Sequence, residues 1–331
     1  MPAVIAGAGS GKTETMSSRV LFLVANGVVR PEEILGLTFT RKASSELGVR
    51  IRKRLRLLQN TPLFEAIRHQ RSKDNLDQNF VLDVPVMTYH SYAGRILGEH
   101  ALRCGIDAPD EPIGEAQLWQ MAHELVTNWH DETFRSESAV ETVVKDVLAL
   151  SSMILEHEVN QGEIFNRTTE ITHDILEHLA QIEAQGSKSN EQVRRVQTVL
   201  SQRLDIFPMA HALIEQRKRA GLLSFDDQMS LAARIASQFP DVGEIERSRY
   251  KVVLLDEYQD TSQSQVRALS HLFGGGHPVM AVGDPCQAIY TWRGASAGTI
   301  GAFAQNFPLK DGGAPNVFSL PTTYRNEKKH S

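Results

Sequence analysis

The residues with the plainest chemistry lie near the start of the chain. Ala6-Gly7-Ala8-Gly9-Ser10-Gly11-Lys12-Thr13 follows a short apolar run, Val4-Ile5-Ala6, and precedes Met16, Val20 and Leu23 at helical spacing. A glycine-rich turn between a strand and a helix lets successive backbone N–H groups point inward at phosphate oxygens. Lys12 can neutralise the β- and γ-phosphates of a nucleoside triphosphate, and the helix N-terminus adds its dipole. The Thr13 hydroxyl can ligate Mg²⁺, and the candidate nucleotide-binding set runs from Ala6 through Glu14. One departure stands out: Ala6 occupies the first glycine position of GxxxxGK[ST]. The alternative for this stretch is a glycine-rich turn with an incidental lysine.

A complementary half-site is offered by Val252-Val253-Leu254-Leu255-Asp256-Glu257. An apolar strand that ends in acid places carboxylates at the C-terminal edge of a parallel sheet, where α/β proteins bind ligands. Asp256 is suited to hold Mg²⁺, directly or through water. Glu257 is suited to orient and deprotonate an attacking water. Strands ending in Asp-Glu are common by chance, so the pairing with a phosphate loop carries the meaning. A nucleoside kinase is the simpler phosphate-loop protein, but residues 12 and 256 stand too far apart for a compact kinase.

Elements that position these groups are legible in the hydrophobic pattern. Strand-like runs at Leu35 to Phe39 and Val86 to Tyr89 alternate with helix-like ones, including a stripe of Leu47, Ile51, Leu55 and Leu58. Asn26-Gly27 supplies a helix stop. From about Asp107 to Arg219 the pattern is helical throughout, with Asp110-Glu111-Pro112 opening it, an interruption at 186–190, and Pro208 expected to kink or divide the last helix. Ser224 and Asp227 can form a capping box, after which strands recur at Val252 to Leu255, Val279 to Val282 and Val317 to Leu320. The β-then-α rhythm predicts an α/β fold: a parallel sheet flanked by helices, split at 1–106 and 221–331 around an all-helical insertion at 107–220.

Composition sets outer bounds. The 331 residues carry 35 basic and 40 acidic side chains, net −5, with 41% hydrophobic and 23% charged residues. That excludes a largely disordered, collagen-like or coiled-coil chain. No apolar run approaches the ~20 residues that span a bilayer, and no signal peptide opens the chain, so an intracellular soluble protein is expected. Cys104 and Cys286 fit no metal or redox pattern, and the 12 histidines form no metal constellation.

Five further strings carry a specific resemblance. Thr38-Phe39-Thr40-Arg41-Lys42-Ala43, Thr88-Tyr89-His90-Ser91, Leu255-Asp256-Glu257-Tyr258-Gln259-Asp260-Thr261, the stretch from Val282-Gly283-Asp284-Pro285-Cys286-Gln287 to Tyr290-Thr291-Trp292-Arg293-Gly294-Ala295, and Thr323-Tyr324-Arg325-Asn326 appear in that order. They resemble successive motifs of the UvrD/Rep/PcrA superfamily 1 DNA helicases. The resemblance implies a RecA-like core domain 1A holding the phosphate loop, a helical domain 1B inserted into it, and an ATP- and Mg²⁺-dependent motor on single-stranded DNA. It implies 3′-to-5′ unwinding in DNA repair or recombination, at junctions of single- and double-stranded DNA, in the bacterial cytoplasm with the nucleoid.

By that resemblance Gln287 senses the γ-phosphate, Arg325 acts as an arginine finger on the transferred phosphoryl group and Tyr324 stacks on adenine. With Lys12 and Glu257, Gln287 and Arg325 make up the candidate catalytic set. Phe39, Tyr290 and Trp292, with Arg293 beside them, become candidates for stacking on bases, which suits a motor that ignores sequence. Thr40, Arg41, Thr88 and His90 join them as candidate DNA contacts. Each has a plainer alternative: a loop glutamine, a surface arginine, core aromatics, a satisfied structural histidine.

Departures accompany the match. Only five residues precede Ala6, so the family's adenine-reading glutamine is expected to be missing, and the second core domain is expected to lie beyond residue 331. The chain is therefore read as an N-terminal portion that alone turns over ATP poorly and does not unwind DNA. Arg41 replaces the usual asparagine, and Pro285-Cys286 stand where polar residues are common. The wording of the first two motifs resembles actinobacterial UvrD-like proteins, including motor subunits of AdnAB-type helicase–nucleases, which implies a helicase–nuclease partner subunit. A non-motor DNA-binding subunit with an inactive ATP site is the second reading. The intact Lys12, Thr13, Asp256, Glu257 and Gln287 favour the motor. Finally, Arg41, Lys42, Arg50, Arg52, Lys53, Arg54 and Arg56 face only Glu46 in one stretch. Such local charge, rather than the net −5, governs phosphate-backbone binding; a solvated helix face is the alternative.

Overall fold

Six short apolar strands pair side by side in a computed structural model that describes residues 3–7, 9–65, 83–106, 112–130, 139–156, 161–184, 191–288 and 298–322. They are β1 (Ala3–Ala6), β2 (Ile34–Thr38), β3 (Val86–Thr88), β4 (Val252–Leu255), β5 (Val279–Gly283) and β6 (Val317–Leu320). Their order across the sheet is β3-β2-β4-β5-β1-β6, and all five pairings are parallel. Val-Val-Leu-Leu in β4 and Val-Met-Ala-Val in β5 are buried at every position, the pattern of strands covered on both faces.

One face is covered by α1 (Lys12–Ala25) and α2 (Arg41–Gln59). Met16, Val20, Leu23 and Val24 of the first, and Leu47, Ile51, Leu55 and Leu58 of the second, pack on Val4, Ile34, Val252, Leu254, Met280 and Val282. Pleating turns Leu35, Leu37, Val253 and Leu255 to the opposite face, where they are equally buried. There α3 (Tyr89–His100) ties itself to the end of β4, the Tyr89 hydroxyl donating to the carbonyl of Asp256 at 3.0 Å.

The chain divides into two compact units, residues 1–106 with 229–331, and 107–228. The described residues of the second unit form helices α4 (Glu115–Thr127), α5 (Val140–Glu156), α6 (Gln161–Ala184) and α7 (Glu191–Arg219), with the start of α8 (Phe225–Gln238). Its core joins Ala122, Val143, Val144 and Val147 to Phe207, Met209, Ala210 and Leu213. Pro208 does not divide α7, which runs unbroken through it. Proline removes one backbone donor, and the burial of Phe207, Met209 and Ala210 on both sides of it holds the helix together. Ser224 and Asp227 close the α8 capping box, with backbone-to-side-chain bonds of 2.7 and 3.2 Å, and buried Arg217 donates to the same carboxylate at 3.0 Å. Among the described residues no helix is long and apolar enough to cross a membrane.

A buried charge anchors α9 (Pro240–Arg249) in the first unit. Glu246 is 0% exposed and accepts from the Tyr92 hydroxyl at 2.8 Å, from Arg95 and from Arg249 at 3.0 Å. Burial and the Glu246 charge hold the Tyr92 phenol well above its ordinary pKa. Removing one partner of such a cluster strands the others. Glu246→Ala is expected to lower the unfolding free energy by about 3 kcal/mol, read as a shift of the urea midpoint.

Candidate nucleotide-binding site

Because every strand is parallel, the loops after β1, β4 and β5 open at one edge of the sheet. The loop after β1 turns through Gly9 at φ 72° and Gly11 at φ 91°, a left-handed conformation that side chains resist. The Ser10 hydroxyl and amide both donate to the Gly7 carbonyl, at 2.7 and 3.2 Å, closing the turn. Lys12 and Thr13 then begin α1, so the loop presents its backbone donors where the helix dipole is positive. The loop passes close to the end of β5: a Cβ on Gly7 would lie 3.9 Å from Asp284 Oδ2.

Order in the sheet places β5 between β1 and β4, yet the two outer loops meet. Lys12 Nζ lies 2.8 Å from Glu257 Oε2, joining the phosphate loop to the acidic strand end. Asp256 is buried, and its carboxyl is pushed up to about 6, first by burial and then by the neighbouring Glu257 charge. The backbone N–H of Glu257, 3.1 Å from Asp256 Oδ1, opposes that rise, as does Lys12.

Glu257 has φ 47°, the one non-glycine residue with positive φ among the described residues. A left-handed residue two positions past a strand end reverses the chain sharply and costs on the order of 1 kcal/mol or more. The turn that follows, Tyr258–Asp260, is pinned by Tyr258, fully buried with its ring 5.5 Å from that of Phe303.

At the end of β5, Asp284 caps a short turn over Pro285–Gln287, accepting from the Cys286 amide at 3.0 Å. The Gln287 side-chain amide also donates to Asp284. The structure therefore brings Lys12, Asp256, Glu257, Asp284 and Gln287 to one edge. Residue type and spacing give no role to Asp284 or Gln259. Their signal is that both lie within the strings that carry the helicase resemblance, just past fully apolar strands.

Thr40 and Thr88 are the N-caps of α2 and α3, accepting from the amides of Ala43 at 3.0 Å and Ser91 at 3.1 Å. Phe39 is half-buried, with its ring edge-on to Tyr89 at 6.1 Å, Arg41 is exposed, and His90 is half-buried in the first turn of α3. Ala8, Tyr290, Trp292, Arg293, Tyr324 and Arg325 lie outside the described residues. The basic stretch is partly neutralised. Arg50 and Arg54 both reach Glu14 on α1, and Arg52 meets Asp83 at 3.0 Å. Glu14 thus bonds two arginines of α2, whereas Arg41, Lys42, Lys53 and Arg56 stay exposed, Lys42 lying 3.9 Å from Glu46.

A parallel sheet with a glycine-rich loop after one strand and paired acids after the strand two places away defines an α/β phosphate-loop nucleotide-binding domain. A family profile for the UvrD/REP helicase N-terminal domain matches residues 2–308, and the chain belongs to that family. It is 26% identical over 328 residues to the ATP-dependent DNA helicase PcrA of Staphylococcus aureus, covering 98% of this chain and 36% of that one. The PcrA helicase of Leuconostoc citreum is 27% identical over 306 residues, covering 92% of this chain and 33% of its own. The chain thus spans 33–36% of the length of these curated relatives.

Proposed function

We propose that this chain is the ATP-binding part of a DNA helicase motor. The carrying observation is the 2.8 Å contact between Lys12 and Glu257, which joins two motifs 245 residues apart into one site. Lys12 and the N–H groups of residues 7–13 bind the triphosphate. Thr13 and Asp256 are the residues that hold Mg²⁺. Their hard oxygen donors suit that ion, and a buried carboxylate with a raised pKa calls for a cation beside it. Bound there, Mg²⁺ supplies charge neutralisation of the phosphates.

Glu257 takes the proton of the attacking water as the new bond to the γ-phosphorus forms and the bond to the ADP oxygen breaks. Gln287 hydrogen-bonds the γ-phosphate, Arg325 stabilises the transferring group and Tyr324 stacks on adenine. Phe39, Thr40, Arg41, Thr88, His90, Tyr290, Trp292 and Arg293 line the path of single-stranded DNA. In this reading residues 1–106 and 221–331 are core domain 1A and 107–220 the inserted domain 1B. The motor moves 3′ to 5′ in bacterial DNA repair or recombination, with a helicase–nuclease partner subunit.

The test is binding of a fluorescent ATP analogue with Mg²⁺, and of an oligothymidylate, to the chain. Both are expected to bind, and Lys12→Ala is expected to weaken nucleotide affinity at least about tenfold, or 1.4 kcal/mol, without changing the oligonucleotide affinity. Equal nucleotide affinity for parent and variant would remove the phosphate-loop reading.

A further inference from the structure

Gln259 is 1% exposed and uses both ends of its amide. Its Nε2 donates to Glu257 Oε2 at 3.0 Å and to Asp260 Oδ2 at 3.1 Å. Its Oε1 accepts from the backbone N–H of Asp284 at 2.9 Å. One side chain therefore spans from the acidic end of β4 to the first residue after β5, the loop that carries Gln287. The packing around it is specific. A Cβ on Gly283 would stand 2.4 Å from Gln259 Oε1 and 3.3 Å from its backbone nitrogen, so only glycine lets the amide lie across the strand end.

Glu257 needs such a brace. Its backbone is in the left-handed region, and its carboxylate oxygen Oε2 is shared between Lys12 Nζ and Gln259 Nε2. Once a triphosphate engages Lys12, the Gln259 amide still donates to that carboxylate. A donor held by two further bonds keeps its direction, whereas a flexible or charged one does not. A neutral amide also separates Glu257 from Asp260 without adding charge, which a second carboxylate or a lysine at this position could not do.

We propose that Gln259 is a positioning residue for hydrolysis: it fixes the Glu257 carboxylate and locks it to the Asp284–Gln287 loop, so that base and γ-phosphate contact move as one piece. The inference deepens the proposed function and rests on Glu257 being the base.

Single-turnover hydrolysis of labelled ATP, with protein in excess, tests it, because slow rates remain readable. Gln259→Met keeps the length of the side chain and removes both hydrogen-bonding ends. It is expected to bind the fluorescent ATP analogue within about threefold of the parent and to hydrolyse ATP at least about tenfold more slowly. Gln259→Glu keeps the shape and the Asp284 contact but sets a third carboxyl against Glu257 and Asp260, and is expected to be as slow. The decisive measurement is the double variant Glu257→Gln/Gln259→Met. A residue acting through Glu257 makes the double no slower than Glu257→Gln alone, whereas a merely structural role adds its own loss. Parent-like hydrolysis by Gln259→Met, or additive losses in the double, overturns the inference while leaving the nucleotide site standing. Parent-like hydrolysis by Glu257→Gln removes the reading of Glu257 as base, and the inference with it. Should Gln259→Met fail to fold, judged by its melting profile, the neutral Gln259→Leu replaces it, alone and in the double variant, with the same outcomes supporting or overturning the inference.

Discussion

Glu257→Gln is expected to slow ATP turnover by at least about 100-fold while leaving Mg²⁺–ATP affinity within about threefold of the parent, the range for loss of a general base. The substitution keeps size and keeps an oxygen for Lys12, so the contact at 2.8 Å survives as a hydrogen bond in place of an ion pair. What disappears is the capacity to take a proton. Stopped-flow binding and single-turnover phosphate release, with protein in excess, separate the two effects. A loss of affinity matching the loss of turnover would assign Glu257 to binding. Equal turnover would remove it from hydrolysis altogether. Its one-third exposure means that little stability is at stake in the ion pair itself.

Asp256→Asn is expected to give the opposite pairing, a more stable protein that no longer responds to magnesium. The carboxyl is buried, and its pKa in the folded protein is about 6 against an ordinary 3.8. A folded state that holds its proton more tightly than the unfolded chain is favoured at low pH. That advantage is fully present below about pH 4 and is lost as pH rises through 6. At pH 7.5 without a cation the ionised, desolvated group therefore costs roughly 3 kcal/mol, the free energy linked to that rise in pKa. Asparagine escapes the cost and still accepts the Glu257 N–H through its oxygen. In EDTA at pH 7.5 the variant should melt a few degrees above the parent, and the gap should shrink to about a third near pH 4.5 and close below about pH 3.5. Adding Mg²⁺ and nucleotide should stabilise the parent and not the variant. A variant less stable than the parent in EDTA at pH 7.5 would show that Asp256 contributes through its charge without a cation.

Much of this site was legible from residue type and spacing. Apolar strands of four or five residues that stop at glycine or acid announce a parallel sheet edge, and Lys12 and Asp256 follow from that grammar alone. The helical unit was legible because its apolar residues keep a helical period over long stretches. Pro208 does not divide its helix because a single residue's backbone penalty is local, whereas the burial of Phe207 and Met209 that offsets it is tertiary. Gln259 was hidden for a related reason. Nothing in Asp-Glu-Tyr-Gln-Asp tells which polar side chain will be buried, and the partner that defines it, the amide of Asp284, is 25 residues away. The acids that partly neutralise the arginines of α2, Glu14 and Asp83, come from other segments and do not show in the basic stretch itself.

The place of β1 in the sheet also bears on how the molecule is made. Ala3 pairs with Ala281 on one side and Val317 on the other, so the earliest of the six described strands is hydrogen-bonded only to the two that come latest among them. On a ribosome its edges wait for nearly the whole unit to emerge. Sheets built from such distant pairings fold slowly. The helices of residues 107–228 find their core partners within that one stretch and can close before β5 emerges. Truncations that end before β5 are therefore expected to leave the phosphate loop unformed and prone to aggregate, however intact its own residues.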